Sequence, residues 1–256
     1  MLLAVDVGNT NIVFGIHNGA TWLHHWRIRT VRDKMPDEYA VLFRGFIGEA
    51  GMPMSRFEQV VLSSVVPPLT GTLCEMLAVQ TGREPLVVSC DIDTGLTFRV
   101  DNPREVGADL IADAVAAHIR CSGACIVVDF GTATTFTAVS AQAEFLGVAI
   151  APGLNLAASA LAGGTAQLPQ IALTPPPRAI GTNTVHSIQA GIVLGYVDLV
   201  SGMLDRFRAE LGAKTEAIAT GGLSRLIAPL TGRFQVIDPW LTLEGIRLIA
   251  LRNRQV

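Results

Sequence analysis

Two short stretches carry residue types from which phosphate chemistry is built: Asp6-Val-Gly-Asn-Thr-Asn11 and Asp129-Phe-Gly-Thr-Ala-Thr134. In each, a carboxylate is followed by glycine and hydroxyl residues at a turn. The turn's amides and hydroxyls suit phosphate oxygens, and the carboxylate suits the cation that accompanies them. Both stretches follow an apolar run (Leu2 to Val5; Ile126 to Val128) and lead into a second β-like run (Ile12 to Ile16; Phe136 to Val139). Strand, acid, turn, strand is therefore written twice, which implies a nucleotide held in a cleft between two similar domains. A third acid, Asp109, opens a helical pattern after Gly107-Ala108, where a carboxylate suits the helix dipole. By itself it reads equally well as a stabilising first-turn acid or as a group facing the cleft.

The elements that must position these residues follow from hydrophobic period. Leu2 to Asp6, Asn11 to His17 and Thr21 to Thr30 read as a three-strand meander, with Asn18-Gly19 as its hairpin turn. Tyr39, Leu42, Phe43, Phe46 and Ile47 recur at helical spacing up to Gly51. A strand from Gln59 to Val66 is expected to stop at Pro67-Pro68, followed by a helix from Leu69 to Gln80 and a strand from Pro85 to Ser89. A helix near Glu105 to Arg120 leads to a second meander, Cys125 to Phe130, Thr134 to Ser140 and Phe145 to Ile150. Beyond it come a small-residue helix from Leu154 to Leu161, one long helix from about Asn183 to Leu211, a strand from Ala217 to Thr220 and a last helix from Leu243 to Asn253. Gly191 and Gly195 on one face of the long helix are expected to permit close packing. This is an α/β plan in two halves.

Composition narrows the function classes. Half of the 256 residues are hydrophobic and 16% are charged, ample for a filled core. A net charge of −3 without a basic run argues against a nucleic-acid partner. Gly, Pro or charge interrupts the apolar stretches, and the start of the chain lacks a basic signal-peptide region, so no membrane association and a cytoplasmic location are expected. Cys74, Cys90, Cys121 and Cys125 contain no CxxC pair and read as buried small hydrophobes.

The series Asp6 to Asn11, Asp37-Glu-Tyr39, Ser63 to Leu69, Asp101 to Asp109, Val128 to Phe136, Ala151-Pro-Gly153, Gly181 to Thr184 and Ala219 to Gly222, taken in order, resembles the type III pantothenate kinases. The resemblance implies two ribonuclease-H-like domains, 1–118 and 119–256, of the actin-like kinase superfold around a nucleotide cleft. It implies ATP-dependent phosphorylation of pantothenate, the first step toward coenzyme A, by a homodimer that uses Mg2+ or another divalent cation and a monovalent cation, K+ or NH4+. By resemblance, Asp6, Val7, Gly8, Asn9, Thr10, Asn11, Ile12 and Val13 form the ATP phosphate loop, with Asp6 near the metal. Thr132, Gly221 and Gly222 would adjoin ATP, Asp129 would hold the monovalent cation, and Asp109 would be the general base. Val100, Gly107, Ala108, Asp109, Leu110 and Thr184 would line the acceptor site. Leu110, Val100 and Thr137 stand where the family usually has Arg, Tyr and Asp. Those departures keep two alternatives open: a non-catalytic regulatory paralogue, and a kinase for another small hydroxyl compound such as pantetheine.

Overall fold

The computed structural model describes residues 1–254. Two compact units emerge: Met1–Ala116 joined by the chain from Thr242 onward, and Ala117–Leu241.

In the first unit, β1 (Leu2–Val7), β2 (Asn11–His17) and β3 (Trp22–Arg29) form an antiparallel meander, followed by helix α1 (Pro36–Glu49). Strand β4 (Gln59–Ser64) lies parallel to β1, α2 (Pro67–Thr81) follows it, and β5 (Leu86–Val87) adds parallel to β4. The sheet order is β3-β2-β1-β4-β5. Alternation in β1 and β2 sends Leu3, Val5, Val7, Ile12, Phe14 and Ile16 into one core, where they meet Tyr39 and Phe43 of α1 and Leu69 and Leu73 of α2. Pro67 and Pro68 do more than stop a strand: they open α2, at positions whose missing N–H would have no helical acceptor. A short strand β6 (Thr97–Phe98), a 3-10 turn (Pro103–Glu105) and α3 (Ala108–Arg120) complete this stretch.

The second unit repeats the plan. Strands β7 (Cys125–Phe130), β8 (Ala133–Val139) and β9 (Glu144–Pro152) form a meander. Helices α4 (Leu154–Gly163), α5 (Thr184–Gln189) and α6 (Gly195–Leu211) follow, then β10 (Glu216–Thr220), α7 (Ser224–Thr231) and β11 (Val236–Ile237). β10 pairs parallel to β7, and β11 parallel to β10. The unit's own strands therefore run β9-β8-β7-β10-β11, the same order by role as in the first unit.

Three expectations change. First, the chain after 118 does not all stay with the second unit, because α8 (Leu241–Arg252) returns to the first. Its Gly245 lies against α3 so closely that a Cβ would meet the Ala112 carbonyl oxygen at 1.8 Å. Its Leu243, Ile246 and Ile249 are buried, and Gln59 Nε2 donates to Ala250 O at 2.8 Å. Second, the long helix is interrupted by a π turn at Ala190–Leu194. Buried positions run from Ile188 and Gln189 to Val193, Tyr196, Val200 and Leu204. Gly191 and Gly195 are exposed, off the packed face. Nothing lies near either glycine, so they do not serve close packing. Third, the helical run Thr184–Leu211 is, by length and composition, apolar enough to cross a membrane. Glycines did not break it, and its buried stripe forms part of the second unit's core with Ile126, Val128 and Phe136.

Candidate active site

In the first unit, Asp6 sits near the end of β1, in register with Val13 on β2 and Ser63 on β4. Ser63 Oγ donates to Asp6 Oδ1 at 3.0 Å. The turn beyond it is closed by Gly8 N donating to Asn11 O at 2.9 Å. Thr30, just past β3, secures it twice: its N–H donates to Thr10 O at 2.9 Å and its hydroxyl to Gly8 O at 2.6 Å. Three of the turn's carbonyls are thereby occupied from within, and the side chains of Asn9, Thr10 and Asn11 are left at the surface. Arg32 Nη2 donates to Asn9 Oδ1 at 3.1 Å. The Tyr39 hydroxyl holds that segment by donating to Val31 O at 2.7 Å. Val7 and Ile12 are wholly buried and act as the scaffold of the turn, whereas Val13 is half-buried.

Asp109 stands in the first turn of α3, where Leu110 N donates to its Oδ1 at 2.7 Å. A side chain at Gly107 would collide with that oxygen, since a Cβ there would lie 2.6 Å away. Burial pushes the Asp109 carboxyl above the usual range. Asp6 is pushed up to about 7, first by burial and then by the like charge of Asp109, with the Ser63 hydrogen bond opposing the rise. The two acids are thus electrostatic neighbours contributed by β1 and α3. Ala108 and Leu110 flank Asp109 but are buried at 6% and 8% exposure, so Leu110 is a core residue here. Val100 is half-buried in the segment before α3.

In the second unit, Asp129 occupies the place on β7 that Asp6 holds on β1, with Thr135 on β8 and Thr220 on β10 in register beside it. Gly131 N donates to Ala133 O at 3.1 Å and closes the turn as Gly8 does in the first unit. Gly221 has φ +86°, and a Cβ there would lie 2.0 Å from Asp129 Oδ1 and 2.7 Å from Phe130 N. Glycine is required at 221 both by the conformation and by the carboxylate pressed against it. Ser224 Oγ donates to Gly221 O at 2.7 Å and fixes the turn into α7. Gly153 packs equally tightly on the Gly131-Thr132 backbone, and its N–H donates to Thr132 O at 3.1 Å. Thr132 and Gly222 are exposed, with open space over Gly222. Buried beside Asp129, the hydroxyls of Thr135 and Thr220 have no hydrogen-bond partner among the described residues. Thr184 is exposed at the first position of α5, whose N-cap Asn183 accepts from His186 N at 2.9 Å.

Ser63, Thr30 and Arg32 carry geometry that the sequence reading did not assign. Ser63 lay within a motif that already stood out, but its partner is 57 residues away. Among the described residues no cluster of three or more His, Cys, Asp or Glu side chains could hold a metal ion.

Comparison with known proteins places the chain in a family. Residues 2–206 match the sequence profile of the type III pantothenate kinases. A Moorella thermoacetica protein named type III pantothenate kinase is 49% identical over 253 residues, covering 99% of this chain and 100% of that protein. A protein of the same name from Roseiflexus castenholzii is 45% identical over 255 residues, covering all of both chains. The crystal structure of Acidaminococcus fermentans (R)-2-hydroxyglutaryl-CoA dehydratase component A aligns at a TM-score of 0.57 with 12% identity, over 98% of this chain and 96% of that one. That likeness speaks for fold alone, and the fold is the actin-like ATPase and sugar-kinase one. On the profile and the full-length identities, the chain belongs to the type III pantothenate kinase family.

Proposed function

We propose that this protein transfers the γ-phosphoryl group of ATP to the primary hydroxyl of pantothenate, the first step toward coenzyme A. The observation that carries the reading is the Asp6–Asp109 pair: two half-buried, mutually repelling acids beside a turn that displays Asn9, Thr10 and Asn11. Phosphoryl transfer requires positioning and charge neutralisation more than covalent help. Asp109 accepts the hydroxyl proton. Its carboxyl is held above the usual range, so it is a stronger base than a solvated carboxylate, and the Leu110 N–H holds one of its oxygens in place. The turn from Gly8 to Asn11 cradles the phosphates, and Gly221, Gly222 and Thr132 adjoin the nucleotide. Val100, Gly107 and Thr184 adjoin the acceptor.

A divalent cation fits Asp6, because it would relieve the repulsion that raises that carboxyl. When bound, such a cation neutralises phosphate charge. The scarcity of clustered ligands accords with Mg2+, which keeps waters and phosphate oxygens in its shell. A monovalent cation, K+ or NH4+, fits Asp129, where the Thr135 and Thr220 hydroxyls supply buried oxygens without other partners. A homodimer is supported by the apolar residues α6 and its surroundings leave outside the core, Leu156, Ile180, Val185 and Leu199. We read the protein as cytoplasmic, with no membrane and no nucleic-acid partner, so the helical run Thr184–Leu211 is a core helix.

Leu110 favours a second reading. A buried leucine offers no charge to the carboxylate of pantothenate, which suits a neutral acceptor such as pantetheine. An ATP-coupled assay across pantothenate, pantetheine and related alcohols, with Mg2+ and K+ varied independently, separates the two. Turnover highest on pantothenate and dependent on both cations supports the first reading. Preference for pantetheine supports the second, and ATP binding without turnover on any alcohol removes the catalytic reading.

A further inference from the structure

Between β3 and α1 the first unit carries residues that the second unit lacks between β9 and α4. After β9 the chain is strapped to its turn by Gly153 N donating to Thr132 O at 3.1 Å, and α4 begins at the next residue, Leu154. The first unit has the corresponding strap, Thr30 N to Thr10 O at 2.9 Å, but α1 does not begin until Pro36. The added stretch, Val31 to Met35, brings two cations, Arg32 and Lys34. Lys34 lies over the Tyr39 ring, its Nζ 5.5 Å from the centroid. Arg32 reaches the turn itself, where its Nη2 donates to Asn9 Oδ1 at 3.1 Å.

The stretch is held on either side of Arg32. The hydroxyl of buried Tyr39 binds Val31 twice, donating to its O at 2.7 Å and accepting from its N at 3.2 Å. Glu38 Oε2 accepts from Met35 N at 2.9 Å. Two members of the Asp37-Glu-Tyr39 motif therefore fix the backbone that carries this arginine. Asn9 is a neutral acceptor, and the guanidinium keeps further N–H donors beyond the one it uses there. Arg32 has no ion pair among the described residues, so its charge stands uncompensated beside the exposed side chains of Asn9, Thr10 and Asn11.

We propose that Arg32 is a catalytic residue that donates to the phosphate oxygens of ATP seated on the Gly8–Asn11 turn and neutralises their charge during transfer. The proposal rests on the reading of that turn as the phosphate loop. In the step, the bond from the γ-phosphorus to the ADP oxygen breaks and a bond to the acceptor's hydroxyl oxygen forms. The hydroxyl proton passes to Asp109. Negative charge moves onto the leaving oxygen, and a planar, permanently charged donor suits that charge better than an ammonium does. The Asn9 bond keeps the guanidinium at the turn before ATP arrives, so less ordering is left for the moment of binding.

The test compares the parent with variants at Arg32 and Tyr39, using ATP, Mg2+ and whichever of pantothenate and pantetheine the parent turns over faster. Arg32→Gln should weaken ATP binding about tenfold in a calorimetric titration without acceptor. It should also lower kcat on the order of 10²-fold. Its Tm should match the parent's, because the bond it loses is at the surface. Arg32→Lys should recover part of the rate, and millimolar guanidinium should do the same for Arg32→Ala, which a merely structural loss would not allow. Tyr39→Phe should lower kcat in the parent background and leave it unchanged in Arg32→Gln, since its effect runs through Arg32. An active parent whose Arg32→Gln variant binds ATP and turns over equally well would overturn this proposal and leave the phosphate-loop reading standing. A parent without ATP-dependent turnover would overturn the proposed function, and this proposal with it.

Discussion

Replacing Asp6 by Asn removes one of two like charges from the buried end of β1 while keeping an oxygen for Ser63. The Asp6 carboxyl is raised to about 7, and an unfolded chain leaves it near 4. Because the folded-state value lies above the unfolded one, the native state binds the proton more tightly. Stability is then full below about pH 4 and is lost as pH rises through 7. A separation of roughly three units corresponds to roughly 4 kcal/mol lost by pH 8, as an order of magnitude. In metal-free buffer with EDTA, Asp6→Asn should therefore melt above the parent at pH 8, and most of the gap should close by pH 5. Each kcal/mol moves Tm by roughly 2–4 °C in a chain of this size, so scanning calorimetry at the two pH values resolves the effect. The same variant should lose Mg2+-dependent phosphoryl transfer. If the metal-free parent is as stable at pH 8 as at pH 5, or Asn lowers Tm at pH 8, the electrostatic account of this pair is wrong.

Asp109→Asn should bind ATP as the parent does, measured by calorimetric titration, and lose on the order of 10²–10⁴ in kcat, because an amide cannot take the hydroxyl proton. Leu110→Arg places a charge where a buried side chain now packs, and should cost roughly 2–4 kcal/mol of stability in a urea titration. A folded Leu110→Arg protein with a lower KM for pantothenate would show instead that this position faces the acceptor. Gly221→Ala should destabilise by roughly 1–3 kcal/mol through its positive φ alone. It should also raise the K+ concentration needed for half-maximal activity, since the new methyl would displace the Asp129 carboxylate. Unchanged potassium activation in a folded Gly221→Ala protein would separate Asp129 from the monovalent cation.

What could be read in the sequence was local. β2 and β7 carry the expected bounds because alternation and turn residues at both ends mark them without help from the rest of the chain. Helix α7 was missed: Pro229 lies inside it, and a proline there argues against a helix that long-range packing of Ile227 and Ala228 nonetheless supports. The return of α8 to the first unit was equally hidden, since it rests on contact between Gly245 and Ala112, 133 positions apart in the chain. The π turn left no mark in the pattern, because Ile188 and Gln189 are both buried and the four-residue step from Gln189 to Val193 fits an ordinary helix.

The site divides in the same way. The repeat of acid and glycine turn made Asp6 and Asp129 equivalent on paper, and the two hairpins are alike except that the second turn is one residue shorter. The parallel neighbour of each acid comes from far along the chain, and there the two turns part. Ser63 beside Asp6 is committed to its carboxylate, so that acid already has a donor and stands against a second acid, Asp109. Thr220 beside Asp129 leaves its hydroxyl without a hydrogen bond among the described residues, as does Thr135 on the other side. A buried hydroxyl without a partner costs roughly 1–3 kcal/mol, and two of them flanking one carboxylate form an oxygen-rich place suited to a weakly hydrated cation. Duplication thus explains why both turns exist. The non-local strand neighbours explain why one acid has a hydroxyl donor and stands against a second acid, while the other lies between two hydroxyls without hydrogen bonds among the described residues.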